Sequence, residues 1–146
     1  MNKDSKVIDL EKVVIKFAGD SGDGMQLTGS QFTETSALLG NDLATFPDFP
    51  AEIRAPLGTV AGVSGFQVHI GNTEINTPGD VADVLVAMNP AALKANKNWI
   101  KKGGTIIINS DSFAKKDLDK AGYENNPLED SSFSGFNIVE APISNL

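Results

Sequence analysis

The residues with the clearest chemical potential in this 146-residue chain form a glycine-rich loop, Gly19-Asp20-Ser21-Gly22-Asp23-Gly24. The loop follows an apolar run, Val13–Ala18, and precedes a segment with a helical pattern. A glycine turn between a strand and a helix presents backbone N–H groups that attract an anion. The two aspartates oppose that role, because their carboxylates repel a phosphate and can accept the same N–H groups themselves. We therefore expect either close backbone approach of a ligand or partner, or a self-capped turn.

The spacing of the loop argues against the common nucleotide sites. Its pattern is Gly-x-x-Gly-x-Gly, whereas dinucleotide-binding folds carry Gly-x-Gly-x-x-Gly. A P-loop is excluded, because no Lys-Ser or Lys-Thr pair follows the last glycine. The acid that would bind a ribose is also missing from the end of the second predicted strand, since Asp42 precedes that strand. The loop is thus a poor candidate for NAD(P).

A second candidate is Arg54, the only arginine in the chain. It lies between Pro50 and Pro56, in a stiff segment that also carries Glu52. A guanidinium on a stiff loop suits bidentate recognition of a carboxylate or phosphate. A structural salt bridge to Glu52 or Asp48 is an equally good interpretation.

The other polar candidates favour structural roles. His69 is the only histidine, and its strand pattern predicts an exposed polar residue rather than a catalytic one. Asp80 and Asp83 resemble turn and helix-cap residues more than a catalytic pair. Asn89 follows a strand, so it is either a site residue or a helix N-cap, and Trp99 is predicted to close a helix onto the sheet. The sequence offers no nucleophile–base pair and no metal cluster, so we assign no catalytic residue.

Composition narrows the class of protein. The chain is 40% hydrophobic and 21% charged, which is ordinary for one soluble domain. It has no cysteine, which excludes disulfides, thiolate nucleophiles and Cys-ligated iron–sulfur clusters within it. A net charge of -7 argues against binding to nucleic acid. The absence of a signal-like or membrane-spanning run predicts a cytoplasmic protein.

Hydrophobic patterns predict the elements that position these residues. Predicted strands cover 13–18, 43–46, 63–70, 83–88, 105–108 and 136–139, and predicted helices cover 25–39, 90–99 and 111–122. Residues 46–58 are expected to be irregular, and Lys101-Lys102-Gly103-Gly104 is expected to end the second helix. Residues 63–70 alternate and precede Gly71-Asn72, which predicts an antiparallel hairpin with 73–76 and a wet face carrying His69. The result is an α/β, three-layer Rossmann-like fold with a mostly parallel sheet and an inserted antiparallel hairpin.

The predicted organisation is a lead over residues 1–12 and one domain over 13–146. Parallel sheets are buried on both faces, so the last strand needs a covering helix that the sequence does not offer. We therefore expect this domain to be a fragment of a longer chain.

Three segments in series resemble the γ-type domain of 2-oxoacid:ferredoxin oxidoreductases. They are the glycine loop, then Phe49-Pro50-Ala51-Glu52-Ile53-Arg54-Ala55-Pro56, then residues 58–70, which read Gly-Thr-Val-Ala-Gly-Val-Ser-Gly-Phe-Gln-Val-His-Ile. The resemblance extends over 13–143. It is strongest to the N-terminal part of a 2-oxoglutarate:ferredoxin oxidoreductase α subunit, in which the γ domain precedes the pyrimidine-binding domain.

The resemblance implies oxidative decarboxylation of a 2-oxoacid, with 2-oxoglutarate the best guess, to an acyl-CoA with electrons passed to ferredoxin. Thiamine diphosphate and the iron–sulfur cluster would lie on other domains or subunits of an oligomeric complex. This chain would hold no cofactor firmly and would not turn over alone. Its glycine loop (Gly19–Gly24) and Arg54 would lie near CoA or a neighbouring domain. Two alternatives stay open, a free nucleotide- or CoA-binding module and a structural interaction module.

Overall fold

The computed structural model describes residues 7–49 and 62–145. Six strands form one sheet with the order β2-β3-β1-β4-β5-β6. The strands are β1 Lys12–Asp20, β2 Asp42–Asp48, β3 Val63–Gly71, β4 Ala82–Ala87, β5 Ile100–Asn109 and β6 Asn137–Ala141. The α-helices within the described ranges are α1 Met25–Leu38, α2 Pro90–Asn96 and α3 Lys115–Lys120.

The sheet is mixed but mostly parallel. Strand β1 pairs in parallel with β4, β4 with β5, and β5 with β6. Strand β3 is antiparallel to both of its neighbours, β1 and β2. The predicted α/β fold with a mostly parallel sheet is therefore confirmed.

The core is divided between the two faces of the sheet. Phe17 and Ala18 are neighbours in β1, so their side chains point to opposite faces. Phe17 joins a buried cluster under α1 that includes Met25. Ala18 joins a second cluster that includes Leu85 of β4 and Leu93 of α2. Helices on both faces produce the three layers.

The predicted hairpin between 63–70 and 73–76 is wrong. Strand β3 lies inside the sheet, and residues 73–76 form no strand. The supposedly wet side of β3 is covered by the segment that follows. Gln67 is buried, and its Nε2 donates to the carbonyl oxygens of Pro78 (3.0 Å) and Gly79 (2.6 Å). The polar residues of the alternation thus bond to backbone carbonyls rather than to water.

Several element boundaries also differ from the prediction, and α3 is shorter than the predicted helix over 111–122. Residues Lys101–Gly104 belong to β5 instead of ending a helix, because α2 stops at Asn96 and a short 3₁₀ turn leads directly to Ile100. Strand β2 continues to Asp48 through Pro47, where irregular structure was expected. An edge strand tolerates proline because one side of it makes no ladder hydrogen bonds. The rest of that irregular segment, 50–58, lies outside the described residues.

Candidate functional site

The glycine loop lies at the carboxyl end of β1, next to the end of β4. The two strands are parallel, and Met88 N donates to Ala18 O at 2.9 Å. Asp23 N donates to Asp20 O at 3.0 Å, which closes a turn. Gly24 precedes α1 with φ of 71°, a left-handed conformation that favours glycine. The loop therefore lies where ligand sites of open α/β sheets gather.

The carboxylates of the loop accept hydrogen bonds from the loop itself. Asp23 Oδ2 accepts from Asp20 N at 2.7 Å, and Asp20 Oδ1 accepts from Ser21 N at 2.8 Å. Gly19 is needed for this arrangement, because a Cβ there would be 2.7 Å from Asp23 Oδ2. Two backbone donors that a phosphate would use are thus taken by carboxylates, as the self-capped interpretation expects.

Helix α1 holds the loop rigidly against the sheet. Gln26 Nε2 donates to Gly65 O at 2.8 Å and to Ser64 Oγ at 3.2 Å, which joins the start of α1 to β3. One turn later Gly29 lies so close to the Phe66 ring that a Cβ would overlap it. Close packing of this kind transmits the position of the sheet to the loop.

Asn89 is the N-cap of α2, and it also contacts the glycine loop. Its Oδ1 accepts from Ala92 N at 2.8 Å and caps α2, while its Nδ2 lies 3.4 Å from Asp23 Oδ2. Asn89 therefore connects the end of β4 to the glycine loop across the carboxyl edge of the sheet.

A cavity of about 180 Å³ opens beside this edge. It is lined by Asp20, Gly62, Val63, Asn89, Pro90, Ala91, Asp117, Lys120 and Ala121. Asp117 and Lys120 were not predicted as site residues. They lie in the predicted helix over 111–122, whose position relative to the loop the sequence does not define. Only the packing of α3 against α2 brings them here. The cavity combines an apolar wall with one ammonium group and two carboxylates.

Two of the remaining candidates, His69 and Trp99, do not line this cavity. Arg54 and Glu52 are outside the described residues. His69 Nδ1 is hydrogen-bonded to Thr77 O at 2.7 Å, away from the loop. Trp99 was predicted to close a helix onto the sheet, but it is 54% exposed. That prediction is wrong because Leu93 of α2 fills the core instead.

Asp83 has a structural role and Asp80 is exposed. Asp83 Oδ1 accepts from Lys101 Nζ at 2.8 Å, and Asp83 Oδ2 accepts from Val14 N at 2.9 Å. Burial raises the pKa of the Asp83 carboxyl, but these two hydrogen bonds and the nearby positive charge of Lys101 together lower it by more, so the pKa lies below its ordinary value. Asp83 thus joins β4 to β1 and β5 as a carboxylate.

Within residues 7–49 and 62–145, no three His, Asp or Glu side chains are grouped to hold a metal ion. Over the same part of the chain, no helix has both the length and the apolar character needed to cross a membrane.

Residues 14–146 match the family model of pyruvate ferredoxin/flavodoxin oxidoreductase, so the chain belongs to that family. It is 62% identical over 127 residues to the KorA subunit of 2-oxoglutarate oxidoreductase from Mycobacterium tuberculosis, covering 87% of this chain and 19% of that subunit. The resemblance seen in the sequence is therefore confirmed.

Two solved structures share the fold. The 2-oxoglutarate:ferredoxin oxidoreductase from Magnetococcus marinus, with 2-oxoglutarate, coenzyme A and succinyl-CoA bound, matches with a TM-score of 0.70 and 26% identity. The match covers 94% of this chain and 21% of that one. A keto/oxoacid ferredoxin oxidoreductase γ subunit from Geobacter sulfurreducens matches with a TM-score of 0.63 and 18% identity, over 92% of this chain and 62% of the subunit. The chain thus spans about a fifth of the length of the Mycobacterium and Magnetococcus relatives.

Proposed function

We propose that this chain is the γ-type domain of a 2-oxoglutarate:ferredoxin oxidoreductase. The complex would decarboxylate 2-oxoglutarate, transfer the succinyl group to CoA and pass two electrons to ferredoxin. The observation that carries this proposal is the 62% identity to the KorA subunit over 127 residues. The Mycobacterium and Magnetococcus relatives are about five times longer, which supports a domain that works beside others rather than alone.

Within that complex we assign the carboxyl edge of β1 and β4 to the CoA side. The cavity there, about 180 Å³, is smaller than the usual 300–1,000 Å³ of a whole ligand site, so it suits only part of CoA. Its apolar wall and the amide of Asn89 suit the pantetheine arm better than the phosphates. The Asp20 and Asp23 carboxylates accept bonds from loop N–H groups that a phosphate would use, which also favours the pantetheine arm. Arg54 is placed on this side by the family resemblance alone.

Chemistry in this domain is limited to binding and orientation. The loop and α1 would provide a rigid wall, Asn89 an amide that can orient the arm of CoA, and Lys120 a positive charge at the rim. Among the residues that the structure describes, none of these groups has a partner that would make it a nucleophile or a general base. We assign cleavage of the carbon–carbon bond to other domains of the complex.

The cofactors of the reaction would lie on other domains or subunits. A chain with no cysteine has no thiolate for an iron–sulfur cluster. Thiamine diphosphate would be bound by the pyrimidine- and diphosphate-binding domains of the same oligomeric complex, which would also receive ferredoxin. We place the complex in the cytoplasm, because a domain without cysteine is compatible with that reducing compartment.

Anaerobic turnover tests this function. The chain alone, given 2-oxoglutarate, CoA and a viologen dye, should not reduce the dye. The same chain assembled with the thiamine- and cluster-bearing subunits should form succinyl-CoA. Dye reduction by the chain alone, or no reaction after assembly, would contradict the proposal.

The self-bonded loop favours one alternative, an interaction module whose glycines only make a turn. Isothermal titration of the assembled protein with CoA, NAD and thiamine diphosphate separates the two. Heat from CoA that falls on Lys120→Gln supports the proposed function, whereas heat from CoA that this variant leaves unchanged supports the interaction module.

A further inference from the structure

A second cavity, of about 360 Å³, lies on the sheet face opposite α1 and away from the glycine loop. Phe46, Gln67 and Lys16 are register neighbours across β2, β3 and β1, and all three line it. They share the face opposite Phe17, because side chains alternate along β1. The lining also includes the side chains of Asp48, Asp80 and Trp99. These six residues are called the Lys16 pocket below.

Lys16 is a charged residue in β1 that stands between two apolar neighbours, Ile15 and Phe17. It is 8% exposed, although lysine is rarely buried unless it is paired. Its partner is Asp48, with 3.3 Å between Lys16 Nζ and Asp48 Oδ2. The side chain of Asp48 is 46% exposed, so its carboxylate also meets the cavity. Lys16 therefore positions Asp48 and balances one negative charge of the pocket.

Gln67 supplies a fixed acceptor. The residue is 7% exposed, and its amide nitrogen uses both donors on the carbonyl oxygens of Pro78 and Gly79. No hydrogen bond to its Oε1 occurs within the described residues. The amide is thus held by its nitrogen, while its carbonyl oxygen accepts no bond from a described residue.

The pocket is rich in acceptors and aromatic faces. It offers the carboxylates of Asp48 and Asp80 and the amide oxygen of Gln67. Phe46 and Trp99 are each 54% exposed. One ammonium and two carboxylates leave a charge of about -1 within the pocket. A guanidinium fits this set, since it is planar, carries one positive charge and five donors, and stacks on aromatic rings.

We propose that the Lys16 pocket receives an arginine side chain of a partner polypeptide. The choice of a cation follows from charge complementarity, because an anion would add to the negative charge of the pocket and of a chain with net charge -7. Arginine and aromatic residues are also enriched at the centres of protein interfaces. The identity of the partner as a subunit or domain of the oxidoreductase complex rests on the proposed function.

Trp99 reports on this pocket directly, because it is the only tryptophan in the chain. The probe is N-acetyl-arginine amide, added to the chain while tryptophan fluorescence is recorded. We expect a saturable change, no change with the neutral citrulline analogue, and binding about tenfold weaker for the lysine analogue. Asp80→Asn should weaken binding several-fold, whereas Asp119→Asn, the same change on α3, should not. No response, or equal responses to all three probes, would overturn the proposal.

An internal occupant is tested by the same signal. If the arginine probe binds only after Arg54→Lys, the chain's own guanidinium competes for the pocket, and the partner assignment is wrong.

Assembly supplies the second test. The chain is co-expressed with the thiamine- and cluster-bearing subunits, and dissociation of the complex is followed by sedimentation. Asp80→Asn and Trp99→Leu should each raise the dissociation constant about tenfold, and Asp119→Asn should leave it unchanged. If both pocket variants assemble as the unaltered chain does and the complex turns over, this inference is wrong and the proposed function stands. If the unaltered chain does not associate at all, both are wrong.

Discussion

The glycine loop and the Lys16 pocket both border β1, yet their polar groups are used differently. In the loop, the Asp20 and Asp23 carboxylates accept hydrogen bonds from loop N–H groups. In the pocket, Asp80 is exposed and Gln67 keeps an acceptor that no described residue uses. A closed set of hydrogen bonds gives a rigid surface, whereas an open set gives a place to bind. In the more conspicuous motif, each carboxylate therefore already accepts a bond from the loop backbone.

The largest effect is expected where α1 fixes the loop. Gly29→Ala would place a methyl group on the Phe66 ring, so we expect a loss of about 3 kcal/mol in the free energy of unfolding. Gly22→Ala is the matched control, because nothing lies within 4 Å of a Cβ at that position. Denaturant titration measures both variants. Equal stability of the two would show that close packing does not hold the loop.

The self-bonding of the loop predicts the next effect. Asp23→Ala removes the acceptor of Asp20 N and should cost about 1.5 kcal/mol of unfolding free energy. Asp119→Ala, an exposed change on α3, should stay within about 0.5 kcal/mol. A neutral Asp23→Ala would mean that the loop N–H groups do not depend on this carboxylate, and the contrast with the pocket would fail.

The Asp83 carboxylate should make the stability of the sheet beneath the pocket depend on pH. Its folded pKa lies below the ordinary value, so its stabilisation is present above about pH 4 and is lost as the pH falls through the folded pKa. Asp83→Asn should cost about 1 kcal/mol at pH 6 and less at pH 3. Thermal unfolding at the two pH values measures the difference. An equal cost at both values would contradict the assigned role of the carboxylate.

The smallest effect on stability is expected at Asp80. Asp80→Asn should change the free energy of unfolding by less than about 0.5 kcal/mol, because this exposed side chain makes no hydrogen bond with the described residues. Binding of the arginine probe should nevertheless fall. A large loss of stability would show that Asp80 is part of the fold rather than part of an open site.

The sequence predicted the strands that continuous apolar runs define, because such runs need no knowledge of their neighbours. Residues 105–108 and 83–88 are examples, and both lie in or at the ends of parallel central strands. The pairing of β3 could not be predicted in the same way. Gln67 alternates with apolar residues as on a wet face, but its partners are carbonyl oxygens more than ten positions away.

The site was predictable only in part. The two aspartates within a short turn made a self-capped loop one of the two alternatives, and the structure shows the carboxylate bonds of that alternative. Asp117 and Lys120 could not be added, because their place beside the loop depends on the packing of α3 on α2. The Lys16 pocket was invisible for a related reason. Its residues come from three strands and two connections, and Lys16 reads in the sequence as a single charge in an apolar run.

The most direct test compares the KM for CoA with the KM for 2-oxoglutarate in the assembled complex. Lys120→Gln alters the charge at the cavity beside the glycine loop without touching the core. If this edge of the sheet faces CoA, the KM for CoA should rise several-fold while the KM for 2-oxoglutarate stays the same. A change in the KM for 2-oxoglutarate, or no change in either constant, would contradict the assignment of this domain to the CoA side.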